Sequence, residues 1–212
     1  MTQPLFDEET WATLPDLIER LPEAVQVTMW GDEAASEAER QTAVLLRTLA
    51  EKFDNITLEI LPRRVNYAFY PVIGLMTAGR QDHGLRIIGQ PAGIQLTTLI
   101  AAIQAVAFGG QTLEPVTRIK LSKLTSEVKI EVLTDIEDEL GTIAAKHAFG
   151  LAVASSYIRT YVIMTNQFPE ALTRYSVNYL PHVVVNGRVH IEGMIEEDEL
   201  LRQVALTVSG NR

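Results

Sequence analysis

The chain has 212 residues, of which 47% are hydrophobic, and a formal net charge of −9 at pH 7. This length suits one large domain or two small ones. The negative charge argues against a nucleic acid or an anionic membrane as partner, because either would be repelled. No cysteine is present, which excludes disulfides, thiolate nucleophiles and cysteine metal sites.

The N-terminal stretch has neither the basic region nor the apolar region of a secretory signal. No apolar run approaches the roughly 18 residues that a membrane-spanning helix needs. The longest candidate, residues 96–108, is interrupted by threonine and glutamine. These features predict a cytoplasmic protein.

In chain order, the first half is predicted to form a helix at 8–21, a strand at 25–30, a helix at 35–53 and a strand at 56–61. A strand at 71–76 that begins at a proline, a strand at 86–89 and a helix at 96–107 follow. Residues at three- and four-residue spacing line one face of the second helix. They are Ala35, Ala38, Thr42, Leu45, Leu49 and Phe53.

The second half repeats this order. Its elements are predicted at 113–124, 128–133, 136–151, 160–164, 181–185, 190–193 and 197–207. The residues predicted to line the inner face of the second helix are Ile136, Leu140, Ile143, His147 and Leu151.

The repeated order predicts an α/β fold of two tandem units, residues 1–110 and 111–212, each a mixed sheet with helices on both faces. Asn186-Gly187 predicts a hairpin turn with positive φ at both residues. In the expected register His182 lies opposite Ile191 and His190 opposite Val183. That register puts the two histidines on opposite faces, where they cannot share a metal ion.

The order of elements and several motifs resemble the tandem thioredoxin-fold protein disulfide oxidoreductases of thermophiles. They also resemble the N-terminal domain of the alkyl hydroperoxide reductase flavoprotein. The motifs are Gly-Leu-Arg-Ile-Ile-Gly-Gln-Pro-Ala-Gly at 84–93, Ser-Glu-Val-Lys-Ile-Glu-Val at 126–132, and Tyr-Ser-Val-Asn-Tyr-Leu-Pro-His-Val-Val-Val-Asn-Gly at 175–187. The resemblance implies a thioredoxin-like fold in each half.

The chain departs from these families at the Cys-x-x-Cys position between the first strand of each unit and its helix. The first junction contains Asp32 and Glu33 after Trp30, and the second contains Asp138 and Gly141. Acidic residues at these positions are predicted to cap the helices. The chain is therefore not expected to be a dithiol–disulfide oxidoreductase.

The resemblance also implies that Pro71 and Pro181 are the families' cis-prolines, beside which an extended substrate pairs. Tyr70-Pro71 and Leu180-Pro181 are accordingly candidate peptide-binding edges. The alternative is that the fold needs these turns whether or not a peptide binds.

His182 is a candidate base or ligand, but a half-buried, hydrogen-bonded histidine is the simpler interpretation. His147 is expected to pack in or near the core. Trp30 either closes the core or offers a partner an aromatic anchor. The remaining acidic residues near the second junction (Asp135, Glu137 and Glu139) favour a solvated helix start over a metal site.

These observations predict a redox-inactive adaptor or folding helper that binds a protein or peptide, with no cofactor and no metal. One alternative is a non-thiol enzyme or small-ligand binder that uses a polar pocket near His182 and Tyr179. Another is a structural homo-oligomer whose old groove has become an interface.

Overall fold

The computed structural model describes residues 8–209, which form one eight-stranded mixed sheet with seven α-helices. The strands are β1 (Val25–Trp30), β2 (Ile56–Leu61), β3 (Val72–Thr77), β4 (Asp82–Ile88), β5 (Val128–Thr134), β6 (Ile158–Met164), β7 (His182–Val185) and β8 (Val189–Glu192). The helices are α1 (Glu8–Ile18), α2 (Glu37–Lys52), α3 (Leu96–Ala107), α4 (Pro115–Leu121), α5 (Glu139–Ala154), α6 (Glu170–Tyr175) and α7 (Glu197–Ser209). None of these helices is long and apolar enough to cross a membrane.

The strand order is β2-β1-β3-β4-β6-β5-β7-β8, so each half of the chain supplies four neighbouring strands in the same arrangement. In each half the first two strands are parallel because a helix connects them. The last two strands are antiparallel because a tight turn connects them. The halves meet where β4 pairs in parallel with β6. The predicted mixed α/β fold is confirmed.

The two faces of the sheet are covered differently. One face, here called the helix-rich face, packs its apolar side chains against α1 to α5 and α7. On the opposite face, Trp30, Ile88 and Val184 pack with α6 and with residues of the loops at 62–71 and 165–181. We call this second side the loop-covered face. Both faces of the eight-stranded sheet therefore carry a helix, but the loop-covered face has only α6, which belongs to the second half of the chain.

The prediction for the inner face of α5 is wrong for its first turns. Ile136, Leu140 and Ile143 are 37%, 39% and 38% exposed. In the first half of α5 small residues point inward instead, because the helix packs directly on α3 and the sheet. These buried residues are Gly141, Ala144, Ala145 and Ala148.

The prediction for α2 is correct over most of its length. Thr42, Leu45, Leu49 and Phe53 are buried. Ala38 is only half-buried, and Ala35 is exposed because it precedes the helix.

Candidate functional site

The buried carboxylate of Glu39 lies at the first junction, between β1 and α2, and bonds to the groups around it. The carboxylate of Glu39 accepts hydrogen bonds from the Arg63 guanidinium, from the Asp32 backbone N–H at 2.6 Å and from the Ser36 hydroxyl at 2.9 Å. Burial alone would raise the pKa of Glu39, but these donors outweigh burial and lower the pKa below its usual value. An ion pair therefore occupies this junction at neutral pH.

Ser36 caps α2, so the prediction that Asp32 and Glu33 cap this helix is wrong. The Ser36 hydroxyl accepts the Glu39 N–H at 3.2 Å, which is the usual role of an N-cap serine. The two acidic residues lie in the loop before the cap, where Glu33 forms an ion pair with Arg47. Asp32 lies four residues before the cap, and its side chain accepts the Ala34 N–H at 3.0 Å instead.

Trp30 packs inside the loop-covered face. It is 1% exposed, and the guanidinium groups of Arg64 and Arg86 lie 4.7 Å and 5.0 Å from the centre of its ring. Gly74 makes room for the ring, since a Cβ there would lie only 2.7 Å from it. Of the two predicted roles, closing the core fits this position.

A buried carboxamide from the first half of the chain closes the second junction, between β5 and α5. The Gln95 Nε2 points at three oxygen atoms: Thr134 Oγ1 at 3.1 Å, the Asp135 carbonyl at 2.7 Å and the Asp138 carbonyl at 3.0 Å. The Thr98 hydroxyl donates to the Gln95 Oε1 at 2.7 Å. Gln95 and Thr98 are fully buried, so the first half holds the junction loop of the second half in place.

Asp138 caps α5, so the prediction of an acidic cap is confirmed for this helix. Its carboxylate accepts the Gly141 N–H at 2.8 Å and the Thr134 hydroxyl at 2.9 Å. Burial raises the pKa of Asp138, and these hydrogen bonds only partly offset that effect. A side chain on Gly141 would overlap Thr134 Oγ1, so only glycine fits next to this cap.

The other acidic residues at this junction face solvent or bond locally. Glu137 and Glu139 are exposed, and Asp135 accepts the Glu137 N–H at 2.9 Å. Across residues 11–208, whose side chains the structure describes, no three histidine, aspartate or glutamate side chains are placed to hold a metal ion together.

The Tyr70-Pro71 and Leu180-Pro181 peptide bonds are both cis. The Pro71 carbonyl accepts the Gly89 N–H at 2.8 Å, and the Pro181 carbonyl accepts the Gly193 N–H at 2.8 Å. We call residues 69–71 with 89 and 90 the inner edge, because they lie where the two half-sheets meet. Residues 179–181 with 193 and 194 are the outer edge, which lies beside β8 at the end of the sheet.

The outer edge is open to solvent. The side chains of Tyr179 and Met194 are 70% and 58% exposed. The backbone N–H and C=O groups of Leu180 and Met194 form no hydrogen bond with any residue from 11 to 208. Unpaired backbone groups beside exposed apolar side chains can pair with an extended chain.

The histidines of the β7–β8 hairpin lie on the same face of the sheet, contrary to the prediction. His182 pairs with Glu192, and Val184 pairs with His190. Asn186 and Gly187 have positive φ as predicted, but Arg188 adds a third loop residue and shifts the register by one. A shift of one residue moves every β8 side chain to the other face.

His182 lines a polar cavity of about 510 Å³ on the loop-covered face. It is 2% exposed, and its Nε2 forms a 2.9 Å hydrogen bond with the His190 Nδ1. Burial lowers the pKa of His182, and the neighbouring His190 lowers it further, so the imidazole is neutral at pH 7. The other lining residues are Arg174, Tyr175, Ser176, Gly187 and Glu192. Tyr179 does not line this cavity.

We expect the free energy of unfolding to fall as the pH decreases from about 7.5 to about 5.5. Burial lowers the pKa of His182, His83 and His147, so the unfolded chain binds more protons than the folded chain below the usual histidine pKa of about 6.5. The stability that these neutral histidines contribute is fully present above a pH of about 6.5 and is lost as the pH falls below it. Urea titrations at the two pH values measure the change, and His182→Asn should reduce it. An unchanged difference in the variant would contradict the assignment to His182.

Sequence reasoning missed both groups that close the junctions. Ser36 followed three residues later by Glu39 matches the capping pattern Ser-x-x-Glu, which marks this position. No comparable signal marks Gln95, because its acceptors lie 39 to 43 residues further along the chain.

No protein-family model and no curated protein matches the sequence. Solved structures match almost all of it. The NTD_N/C domain of alkylhydroperoxide reductase AhpF from Enterococcus faecalis is 20% identical with a TM-score of 0.87, over 94% of this chain and 99% of that one. A protein disulfide oxidoreductase from Aeropyrum pernix is 19% identical with a TM-score of 0.84, over 96% of this chain and 94% of that one. The thioredoxin-like fold implied by the sequence motifs is confirmed.

Proposed function

We propose that this chain is a redox-inactive protein of two tandem thioredoxin-like units, divided near residue 110, that binds an extended segment of a partner protein at the outer edge. The observation that carries the proposal is the unpaired backbone of Leu180 and Met194 next to the exposed side chain of Tyr179. Backbone pairing would supply affinity, and the flanking side chains would supply selectivity.

The two junctions support the redox-inactive part of the proposal. The chain has no cysteine, and buried polar groups occupy the positions where a Cys-x-x-Cys motif would stand. Glu39 with Arg63 closes the first position, and Gln95 with Asp138 closes the second. Neither cluster contains a group that can exchange electrons with a disulfide.

We expect the protein to leave the rate of insulin reduction by dithiothreitol unchanged, because no thiolate is available to form a mixed disulfide. The measurement is the turbidity of insulin with and without the protein, with a dithiol thioredoxin as positive control. Faster precipitation in the presence of this chain would refute redox inactivity.

A peptide array tests binding at the outer edge. We expect the wild-type protein to retain a subset of extended peptides, and Met194→Pro to lose them because proline removes the N–H that pairs with the peptide. The exposed residue Val65, in the loop between β2 and β3, provides the control variant Val65→Ala. Equal retention by wild type and Met194→Pro would place any binding elsewhere, and no retention by the wild type would refute the proposal.

The cavity beside His182 favours a second candidate function, the binding of a small anionic ligand. Arg174 lines the cavity and stacks on the Tyr175 ring at 5.3 Å, and it forms no ion pair with the side chains of residues 11–208. A carboxylate or phosphate could therefore pair with its guanidinium. Thermal-shift measurements with acetate, phosphate and glutathione test this candidate. A stabilisation that Arg174→Gln removes would support it, and no stabilisation by any of the three would exclude it for these anions.

A further inference from the structure

The inner edge is covered by residues of the second half of the chain. The Gln167 carboxamide accepts the Gln90 backbone N–H at 2.8 Å and donates to the Gln90 carbonyl at 2.9 Å. The Phe168 ring stacks on Phe69, with the ring centroids 4.6 Å apart and the planes 16° from parallel. The Phe168 ring also packs close to Gly89. One carboxamide and one aromatic ring thus complete this edge.

The strand registers relate the two edges residue by residue. Val72 pairs with Ile88 in the first half as His182 pairs with Glu192 in the second. The next pair outward in each hairpin is a proline with a glycine, joined by the same 2.8 Å hydrogen bond. The outer-edge counterparts of Phe69, Gly89 and Gln90 are therefore Tyr179, Gly193 and Met194.

At the outer edge, these counterparts are not covered in the way that Gln167 and Phe168 cover the inner edge. A Cβ on Gly193 would meet no atom within 4 Å, whereas one on Gly89 would meet the Phe168 ring at 3.1 Å. The Met194 backbone has no hydrogen-bond partner among residues 11–208, whereas the Gln90 backbone has two. The Tyr179 ring is exposed where the Phe69 ring is stacked.

The strand order explains the difference. In the first half, β4 lies beside β6, and the chain that leaves β6 carries Gln167 and Phe168 across the inner edge. In the second half, β8 is the last strand of the sheet, so no strand lies next to it. Residues of the chain therefore cover the inner edge but leave the equivalent outer edge uncovered.

We infer that the outer edge binds a partner segment that runs parallel to β8 and carries a carboxamide residue followed by an aromatic residue. The carboxamide pairs with the Met194 backbone, and the aromatic ring stacks on Tyr179, as Gln167 and Phe168 do at the inner edge. This inference rests on the proposed function, for which it names the chemistry of the peptide.

The probe is a synthetic peptide that copies residues 158–170 of this chain, with added N-terminal lysines for solubility. Fluorescence anisotropy measures its affinity for the full-length protein. We expect the peptide to bind and its double variant, Gln167→Ala with Phe168→Ala, to bind at least roughly tenfold more weakly, since both the paired carboxamide and the stacked ring are lost. Tyr179→Ser in the protein should weaken binding of the unchanged peptide several-fold.

Tyr157→Ser is the matched control, because Tyr157 is a partly exposed tyrosine just before β6, at the opposite end of the strands from the outer edge. It should leave the affinity unchanged. Equal binding of the peptide and its double variant would overturn the carboxamide–aromatic chemistry while leaving peptide binding at this edge intact. No binding of this peptide, together with retention of other peptides on the array, would overturn the inference and keep the proposed function. No binding of any peptide would overturn both.

Discussion

Replacing Gln95 with alanine should lower the free energy of unfolding by about 3 kcal/mol. The substitution removes the donor that faces Thr134 Oγ1 and the carbonyls of Asp135 and Asp138, and it leaves the Thr98 hydroxyl without its acceptor. Buried polar atoms without partners each cost about 1–3 kcal/mol, and part of that cost is recovered if water enters the space.

Urea denaturation followed by circular dichroism measures this loss. Gln104→Ala is the control, because Gln104 lies on the neighbouring helix with a single long hydrogen bond of 3.4 Å. It should change the free energy of unfolding by less than about 1 kcal/mol. If Gln95→Ala is no more destabilising than Gln104→Ala, the Gln95 carboxamide does not hold the second junction.

Replacing Gly141 with alanine should also destabilise the protein, by about 2–3 kcal/mol. The new methyl group would overlap Thr134 Oγ1 and lie 2.5 Å from Asp138 Oδ2, so the N-cap of α5 must move. Alanine is the better helix former by about 1 kcal/mol, which offsets only part of this cost. Thermal unfolding should show a midpoint lower by roughly 4–12 °C for a chain of this size.

Gly79→Ala provides the matched control. Gly79 is exposed, and a Cβ there would meet its nearest neighbour at an ordinary 3.8 Å. Its midpoint should stay within about 2 °C of the wild type. A Gly141→Ala protein as stable as Gly79→Ala would mean that the cap of α5 tolerates a side chain, contrary to the packing described for this junction.

The order of elements could be predicted from the sequence because local signals are strong in this chain. Alternating β-branched residues mark the strands, and the helix at residues 96–107 was predicted with the bounds it has in the structure. The Asn186-Gly187 turn likewise has the predicted backbone conformation. These features depend on residues close together in sequence, which is the range over which propensity acts.

The wrong predictions concern features that depend on loop length or on contacts between residues far apart in sequence. The position of His182 relative to His190 depends on one extra loop residue, Arg188, and the Asn-Gly signal does not by itself distinguish a two-residue loop from a three-residue loop. The exposed side of α5 depends on how closely α3 approaches it. Large apolar residues are normally the better guide to a buried face, but here small ones pack inward.

The candidate site was predictable only in part. The sequence motifs pointed to Leu180 and Pro181, and the structure adds that Tyr179 and Met194 flank them in the open. The difference between the two edges could not be predicted, because it follows from β8 lying at the end of the sheet while β4 does not. That property belongs to the assembled sheet rather than to any single segment.

Hydrogen exchange, measured by mass spectrometry with and without an array-selected peptide, tests the proposed binding edge most directly. We expect slower exchange at the backbone N–H groups of Leu180 and Met194 when the peptide is bound, and unchanged exchange at Tyr70 and Gln90. Protection at Tyr70 and Gln90 with none at Leu180 and Met194 would contradict this expectation.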